Sequence, residues 1–463
     1  EFIIEENEGH ITSLKRKNDP FETEFIRPGN NLGCVNLSYR QKADWIHCDQ
    51  SGSDELAVSS SFSSSGPLLE WTIKLSNTSH SPLEIGTLEL PFQFNEEYTH
   101  NPKESFEGRV FKHSHIAGHN SFIFWLPVGG IGAHLLMTPT ENTHLEFFEA
   151  KNGIYASGGA LYSAFIHSKA HVENLTGTWR QENSSKILQA GESISYSFRF
   201  HWCDNYSDIR KKIYQSGGID IRIAPGMVIP RDLKSKIALR SQQKITRIQA
   251  EFPEETEISK LPKHGDNEIY EINFHKLGEN KLTLHYGDQQ ETILEFFVSE
   301  DLETLIKKRA SFIKDFQQHK DPTKWYYGLY SLWDAGAEEG QQKLGPDNSG
   351  SQHPYCVSGS DDPSNSKCMY LSEKNVAYPD AEEIASLEYF IENFVWGKHQ
   401  RTDQEDPYPY GIYGSDSWLT NRNSSNDLIK ESTSRPQEGG SQCRMWRTFD
   451  YTTYFALYYN MYL

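Results

Sequence analysis

A chain of 463 residues with a formal net charge of −19 has room for two to four domains and repels polyanions, which argues against nucleic acid or an anionic membrane as partner. No apolar run approaches the roughly 20 residues of a membrane span. Aromatics make up 13% of the chain, with 24 Tyr and 10 Trp; such residues suit stacking on sugar rings, and they suit Tyr-rich β-sheet equally well.

In chain order, residues 1 to about 203 read as β-structure throughout. Segments 69–77, 83–94, 121–128 and 193–202 alternate apolar and polar residues, and Gly, Asn, Ser and Pro clusters separate them. Many strands without intervening helices predict a large antiparallel β-sandwich, placed at 1–216. Ser207 to Gln215 reads as a short helix ending at Gly217-Gly218. Residues 217–299 hold short strands at regular spacing and predict an immunoglobulin-like sandwich. Glu300 to Gln318 is a predicted helix, with Leu302, Leu305, Ile306, Ala310, Ile313 and Phe316 on one stripe; it marks 300–320 as a linker helix. From Asp321-Pro322 onward, three segments read as helical: 325–336, the stretch opening at Tyr378, and 448–463. The last of these is apolar or aromatic nearly all round, which predicts burial on every side.

The stretch from Tyr378 to Tyr413 organises this third region. Pro379 and the acidic Asp380, Glu382 and Glu383 suit a helix start, and Ile384, Leu387, Ile391 and Phe394 follow at helical spacing. Glu388 falls among them, where desolvation would raise a carboxyl pKa. After Gly397 comes a loop dense in aromatic and charged residues.

Six cysteines stand at positions 34, 48, 203, 356, 368 and 443, and Cys34/Cys48 and Cys356/Cys368 each flank a short segment that a disulfide would close. Asn-x-Ser/Thr sequons occur at Asn36, Asn77, Asn174, Asn183, Asn205 and Asn423. The chain begins at Glu1 without Met, which suggests a processed or truncated N-terminus. Together these predict a secreted or extracytoplasmic protein; buried thiols of a cytosolic protein are the alternative.

Residues 373–414 and 21–40, with the TWR near 178, WYYGLYSLWD at 325–334 and CRMWRTFDYTTYFALYYNMYL at 443–463, resemble an uncharacterised family of secreted proteins grouped with the six-hairpin glycosidases. The resemblance implies a β-sandwich leading into an (α/α)6 toroid, and carbohydrate-active chemistry. A closed toroid needs twelve helices, so 321–463 would be its N-terminal part, incomplete here, with a further chain segment completing it.

Glycoside hydrolysis requires two carboxylates about the scissile bond, one of raised pKa. Glu388 and Asp361 or Asp362 are the candidates, with hydrolysis of a polysaccharide or oligosaccharide as the expected reaction. The structural alternatives are a Glu388 ion pair with Arg444 or Arg447, and an Asx-type turn before Pro363. His399, Arg401, Tyr408, Tyr410, Tyr413, Trp418 and Arg447 are candidate substrate-binding residues. A polysaccharide lyase would instead use a Tyr or His base at C5 of a uronate and a group that neutralises its carboxylate. A non-catalytic glycan-binding or structural subunit is the third reading. No cofactor is expected; Asp361, Asp362 and Asp403 form at most a weak Ca²⁺ set. His113, His115 and His119 offer a metal-like spacing without a completing carboxylate nearby.

Overall fold

The computed structural model describes residues 1–7, 9–96, 99–140, 142–151, 161–177, 179–324, 326–344, 366–406, 408–412 and 451–463. They divide into a β unit, Glu1–Ser299, and a helical unit, Glu300–Leu463.

The β unit is built on two six-stranded sheets. One runs, in spatial order, Leu56–Ser65, Leu68–Asn77, Ser193–Cys203, His134–Pro139, Phe122–Pro127 and Val110–His115, every pair antiparallel. The other runs Phe147–Ala150, Tyr162–His167, Leu83–Phe92, Asn36–Arg40 and Ile46–Asp49, and Lys186–Leu188 also pairs with Leu83–Phe92. Alternation dictates the core, because every second side chain of a strand points to the same face. Leu69, Trp71, Ile73 and Leu75 are buried together with Tyr196, Phe198, Phe200 and Trp202 of the paired strand. In Leu83–Phe92 the buried parity switches from Leu83 and Ile85 to Leu88, Leu90 and Phe92. The register slips there, between Ser38 and Tyr39 of the neighbouring strand, as a bulge requires.

Two short helices interrupt the region expected to be β throughout, Pro102–Gly108 and Lys169–Val172. The first has a local cause: Asn101 caps it by accepting from the Lys103 and Glu104 amides, and Pro102 occupies the first turn. The helix Tyr206–Gln215 is capped the same way by Asn205. A second sandwich follows, of two four-stranded sheets within 219–299, with Ile237, Leu239, Ile272, Phe274, Leu282, Leu284, Leu294 and Phe296 in its core. Cys34 and Cys48 are free thiols and do not close the expected small disulfide. Cys34 Sγ donates instead to Asn31 Oδ1 at 2.9 Å. Cys368 is buried in a helix; Cys356, its expected partner, lies outside the described residues. Asn77 is buried, its amide donating to the carbonyls of Ser81, Leu188 and Gln189, so that sequon is structural.

The described helices of the second unit are Leu302–Phe312, Ser366–Ala377, Ala381–Phe390 and Tyr451–Tyr462; the first and third run on into π-helical turns, Ile313–Gln317 and Ile391–Val395. The core joins Ala310, Ile313, Tyr326, Leu329, Tyr330, Cys368, Leu371, Leu387, Phe390, Phe394, Tyr454 and Leu457. Of segment 325–336, expected to be helical, the described residues 326–336 are not helical. Gly328 has φ +90°, and a Cβ there would meet Asn393 Cβ at 3.2 Å. Its neighbours exchange bridge-like bonds with the preceding chain: His319 N to Leu329 O at 2.8 Å, and Ser331 N to Gln317 O at 2.8 Å. Helix Ser366–Ala377 lies outside the segments read as helical. The last helix is buried on one side only, since Phe455, Tyr459 and Tyr462 are exposed.

Candidate functional site

The helix Ala381–Phe390 starts at Asp380, whose carboxylate accepts from the Glu382 and Glu383 amides; Pro379 precedes the cap. Its buried face is Glu383, Ser386, Leu387 and Phe390, continuing to Phe394. Ser386 belongs there because its hydroxyl is satisfied twice, by Gln318 Oε1 at 2.8 Å and the Tyr330 hydroxyl at 2.6 Å. One position past Leu387 is about 100° around the helix, so Glu388 points outward. It is exposed, which removes the desolvation expected for a catalytic acid. The buried carboxylate of this helix is Glu383, expected to be an ordinary first-turn charge. It accepts from Lys374 Nζ and Asn375 Nδ2, each at 2.9 Å.

Beyond the π-turn, the described residues 396–406 and 408–412 fold back on themselves, and the last helix pins them. Tyr451, Tyr454 and Tyr458 recur at i, i+3 and i+7, on one helix face. The Tyr451 hydroxyl accepts from Ile412 N at 3.0 Å, the Tyr454 hydroxyl pairs with His399 Nδ1 at 2.8 Å, and the Tyr458 hydroxyl donates to Gln400 Oε1 at 2.7 Å. His399 is fully buried and stacks on Phe394, with ring centroids 5.5 Å apart. Arg401 is buried, and its guanidinium donates to the Glu405 and Asp406 carbonyls at 3.0 and 3.1 Å. Two residues expected to touch substrate are therefore internal struts.

What the struts hold up is aromatic. Trp396 is 40% exposed, Tyr408 41% and Tyr410 52%. The Trp396 and Tyr410 rings lie 6.2 Å apart. Tyr408 and Tyr410 have φ of 73° and 61°, a left-handed backbone that costs a bulky L-residue about 1 kcal/mol or more each. Glycine would sit there freely; tyrosine is held in place by the bonds of Tyr410 N to Thr402 O at 3.2 Å and Gly411 N to Tyr408 O at 3.2 Å. Flat rings with polar tips, presented in a strained turn on a buried scaffold, form a surface that can cover the apolar face of a pyranose while offering hydroxyls to its rim. Tyr413, Trp418 and Arg447 lie outside the described residues, as do Asp361 and Asp362. Of the weak Ca²⁺ set only Asp403 is described; it is exposed and accepts from Gln404 Nε2 at 2.9 Å.

The histidines of the β unit do not gather as their spacing suggested. His113 stacks on Phe124 and His115 packs against Phe122, while His119 sits past a turn at Gly118 with its ring 5.5 Å from that of His144.

The architecture is thus a pair of β-sandwiches followed by a helical unit. The chain belongs to a family of unknown function (DUF5695), whose model matches residues 36–463. No curated protein matches it. Among solved structures, Polysaccharide Lyase BACCELL_00875 is similar along 100% of this chain, with a TM-score of 0.74 at 16% identity; the chain spans 65% of that structure's length. A galactose mutarotase related enzyme from Lactobacillus acidophilus aligns with a TM-score of 0.27 and 10% identity, over 44% of this chain and 99% of its own. The GH36 alpha-galactosidase AgaA from Geobacillus stearothermophilus aligns with a TM-score of 0.22 and 10% identity, over 49% of this chain and 35% of its own. No described helix is long and apolar enough to cross a membrane.

Proposed function

We propose that this chain is part of a carbohydrate-active enzyme acting on a polysaccharide, and that its reaction is β-elimination at a uronate. The observation that carries this reading is the fold shared along the whole chain with a polysaccharide lyase. The outward Glu388 weakens the carboxylate-pair mechanism expected of a hydrolase. In this reading the helices belong to a toroid of the six-hairpin type, and the protein acts outside the cytoplasm on its polymer. Trp396, Tyr408 and Tyr410 bind sugar rings. His399 acts as a positioning residue: its bond to Tyr454 ties the loop to the last helix.

Elimination creates an unsaturated uronide that absorbs near 235 nm, and hydrolysis does not. The full-length protein should raise that absorbance on at least one of polyglucuronate, alginate and polygalacturonate. New reducing ends without the absorbance would replace elimination by hydrolysis. Binding with neither product would leave a glycan-binding subunit. Tyr410→Ala and Trp396→Ala should each raise KM about 2- to 13-fold while leaving kcat nearly unchanged, as the loss of about 0.5–1.5 kcal/mol of ring stacking requires. Unchanged KM in both variants would remove the loop from the binding surface.

A further inference from the structure

The geometry points to a transition-metal site of zinc type in the β unit, formed by His144, Glu146 and His167. Each offers one ligand atom, and these atoms all lie within 4.8 Å of one another. The site is independent of the carbohydrate reading.

Its construction is local. Leu145 is bridged to Gly118, with Gly118 N to Leu145 O at 3.0 Å and Leu145 N to Gly118 O at 3.3 Å. The chain is extended there, so His144 and Glu146 fall on the same side. Glu146 N donates to Phe165 O at 3.0 Å, which sets these residues beside His167 at the end of its strand. Glu146 Oε1 is held three times over, by Ser168 N at 2.7 Å, Ser168 Oγ at 2.7 Å and Ser184 N at 2.8 Å. Its Oε2 faces His144 Nε2 at 3.4 Å. His167 is oriented by Ser184 Oγ on Nδ1 at 2.7 Å and by the Tyr196 hydroxyl on Nε2 at 2.6 Å. A metal takes the place of one of these hydroxyls, and the other fixes the tautomer and ring plane. Hydrogen bonds that orient carboxylate and imidazole ligands from behind are the usual support of a metal centre.

Two imidazoles and one carboxylate suit Zn²⁺ or a neighbouring first-row ion and do not suit Ca²⁺, which takes six to eight oxygens. Glu146 and His167 are buried, while His144 is partly open to a cleft of about 400 Å³ that His119, Gln181, His285 and Glu291 also line. Three protein ligands beside a cleft leave a fourth position for water or a small anion. His119 does not supply that ligand: its Nδ1 accepts from Glu291 N at 3.4 Å, so the neutral ring carries its proton on Nε2 and stands as a donor at the rim.

The test is a titration of chelator-treated full-length protein with ZnCl₂, and with CaCl₂ as control, read by calorimetry, by bound metal per chain and by the thermal midpoint. One Zn²⁺ per chain with a raised midpoint is expected, and no response to Ca²⁺. His144→Gln changes a partly exposed side chain and should fold as the parent does, yet bind Zn²⁺ about tenfold or more weakly; Glu146→Gln should do the same. Equal Zn²⁺ affinity in the parent and in His144→Gln, or no stoichiometric Zn²⁺ in the parent, would overturn the site.

Discussion

Glu383→Ala is expected to destabilise the helical unit by about 3–5 kcal/mol, the cost of leaving a buried charge without its partner. The Glu383 side chain is 5% exposed and that of Lys374 8%, with 2.9 Å between Nζ and Oε2. The same oxygen accepts from Asn375 Nδ2, and Asn375 Oδ1 accepts from Asp380 N at 2.7 Å. One carboxylate thus ties the end of helix Ser366–Ala377 to the start of Ala381–Phe390. Alanine there strands an ammonium ion and frees the hairpin. Urea denaturation followed by helical circular dichroism measures the loss. The double variant Lys374→Met/Glu383→Leu should recover most of it, because replacing both partners of a buried pair with apolar side chains is often near neutral. A single-variant loss under about 1 kcal/mol would show that water reaches the pair and screens it.

A second large effect depends on pH. Glu96 is 3% exposed, and burial pushes its carboxyl up from the ordinary 4.5 to about 7, against the opposing pull of Lys112, the Tyr162 hydroxyl and Arg109. The folded protein therefore holds a proton that the unfolded chain releases. Glu96 contributes its full stability below about pH 4.5, and that contribution fades as pH rises through 7. At about 1.4 kcal/mol per unit, the loss between pH 4.5 and pH 8 is about 3 kcal/mol. Glu96→Gln keeps the shape and cannot ionise. Relative to the parent, it should gain about that amount at pH 8 and little at pH 5. The same difference between variant and parent at both pH values would place the ionised carboxylate in a solvated setting.

Much of the β unit was legible in the sequence. Leu69, Trp71, Ile73 and Leu75 announce a strand with one buried face, and Asp380 stands where a helix begins. Alternation and capping act within a few residues, so a linear reading can find them. The phase of the key helix was less legible. Ile384 and Leu387 suggested an apolar stripe containing Glu388. The true face takes in Glu383 and Ser386, polar residues whose partners Lys374, Gln318 and Tyr330 come from other segments. Segment 325–336 misled for a similar reason, since its aromatic run hid a glycine that must be left-handed.

The metal-like trio carried one faint signal. His144 and Glu146 are two apart, as ligands on one side of an extended segment would be. Nothing in the linear chain links them to His167, or separates His119 from His113 and His115. By itself, then, the sequence determined the strands, the caps and the aromatic wealth of the loop after Gly397, because periodicity, turn chemistry and composition are local properties. Only the tertiary structure decided that Glu383 is buried while Glu388 faces out. It alone made His399 and Arg401 struts, raised Tyr410 and Trp396 to the surface and brought His144, Glu146 and His167 together. Burial and long-range hydrogen bonding are set by what packs against a residue, and the packing partners lie tens of positions away.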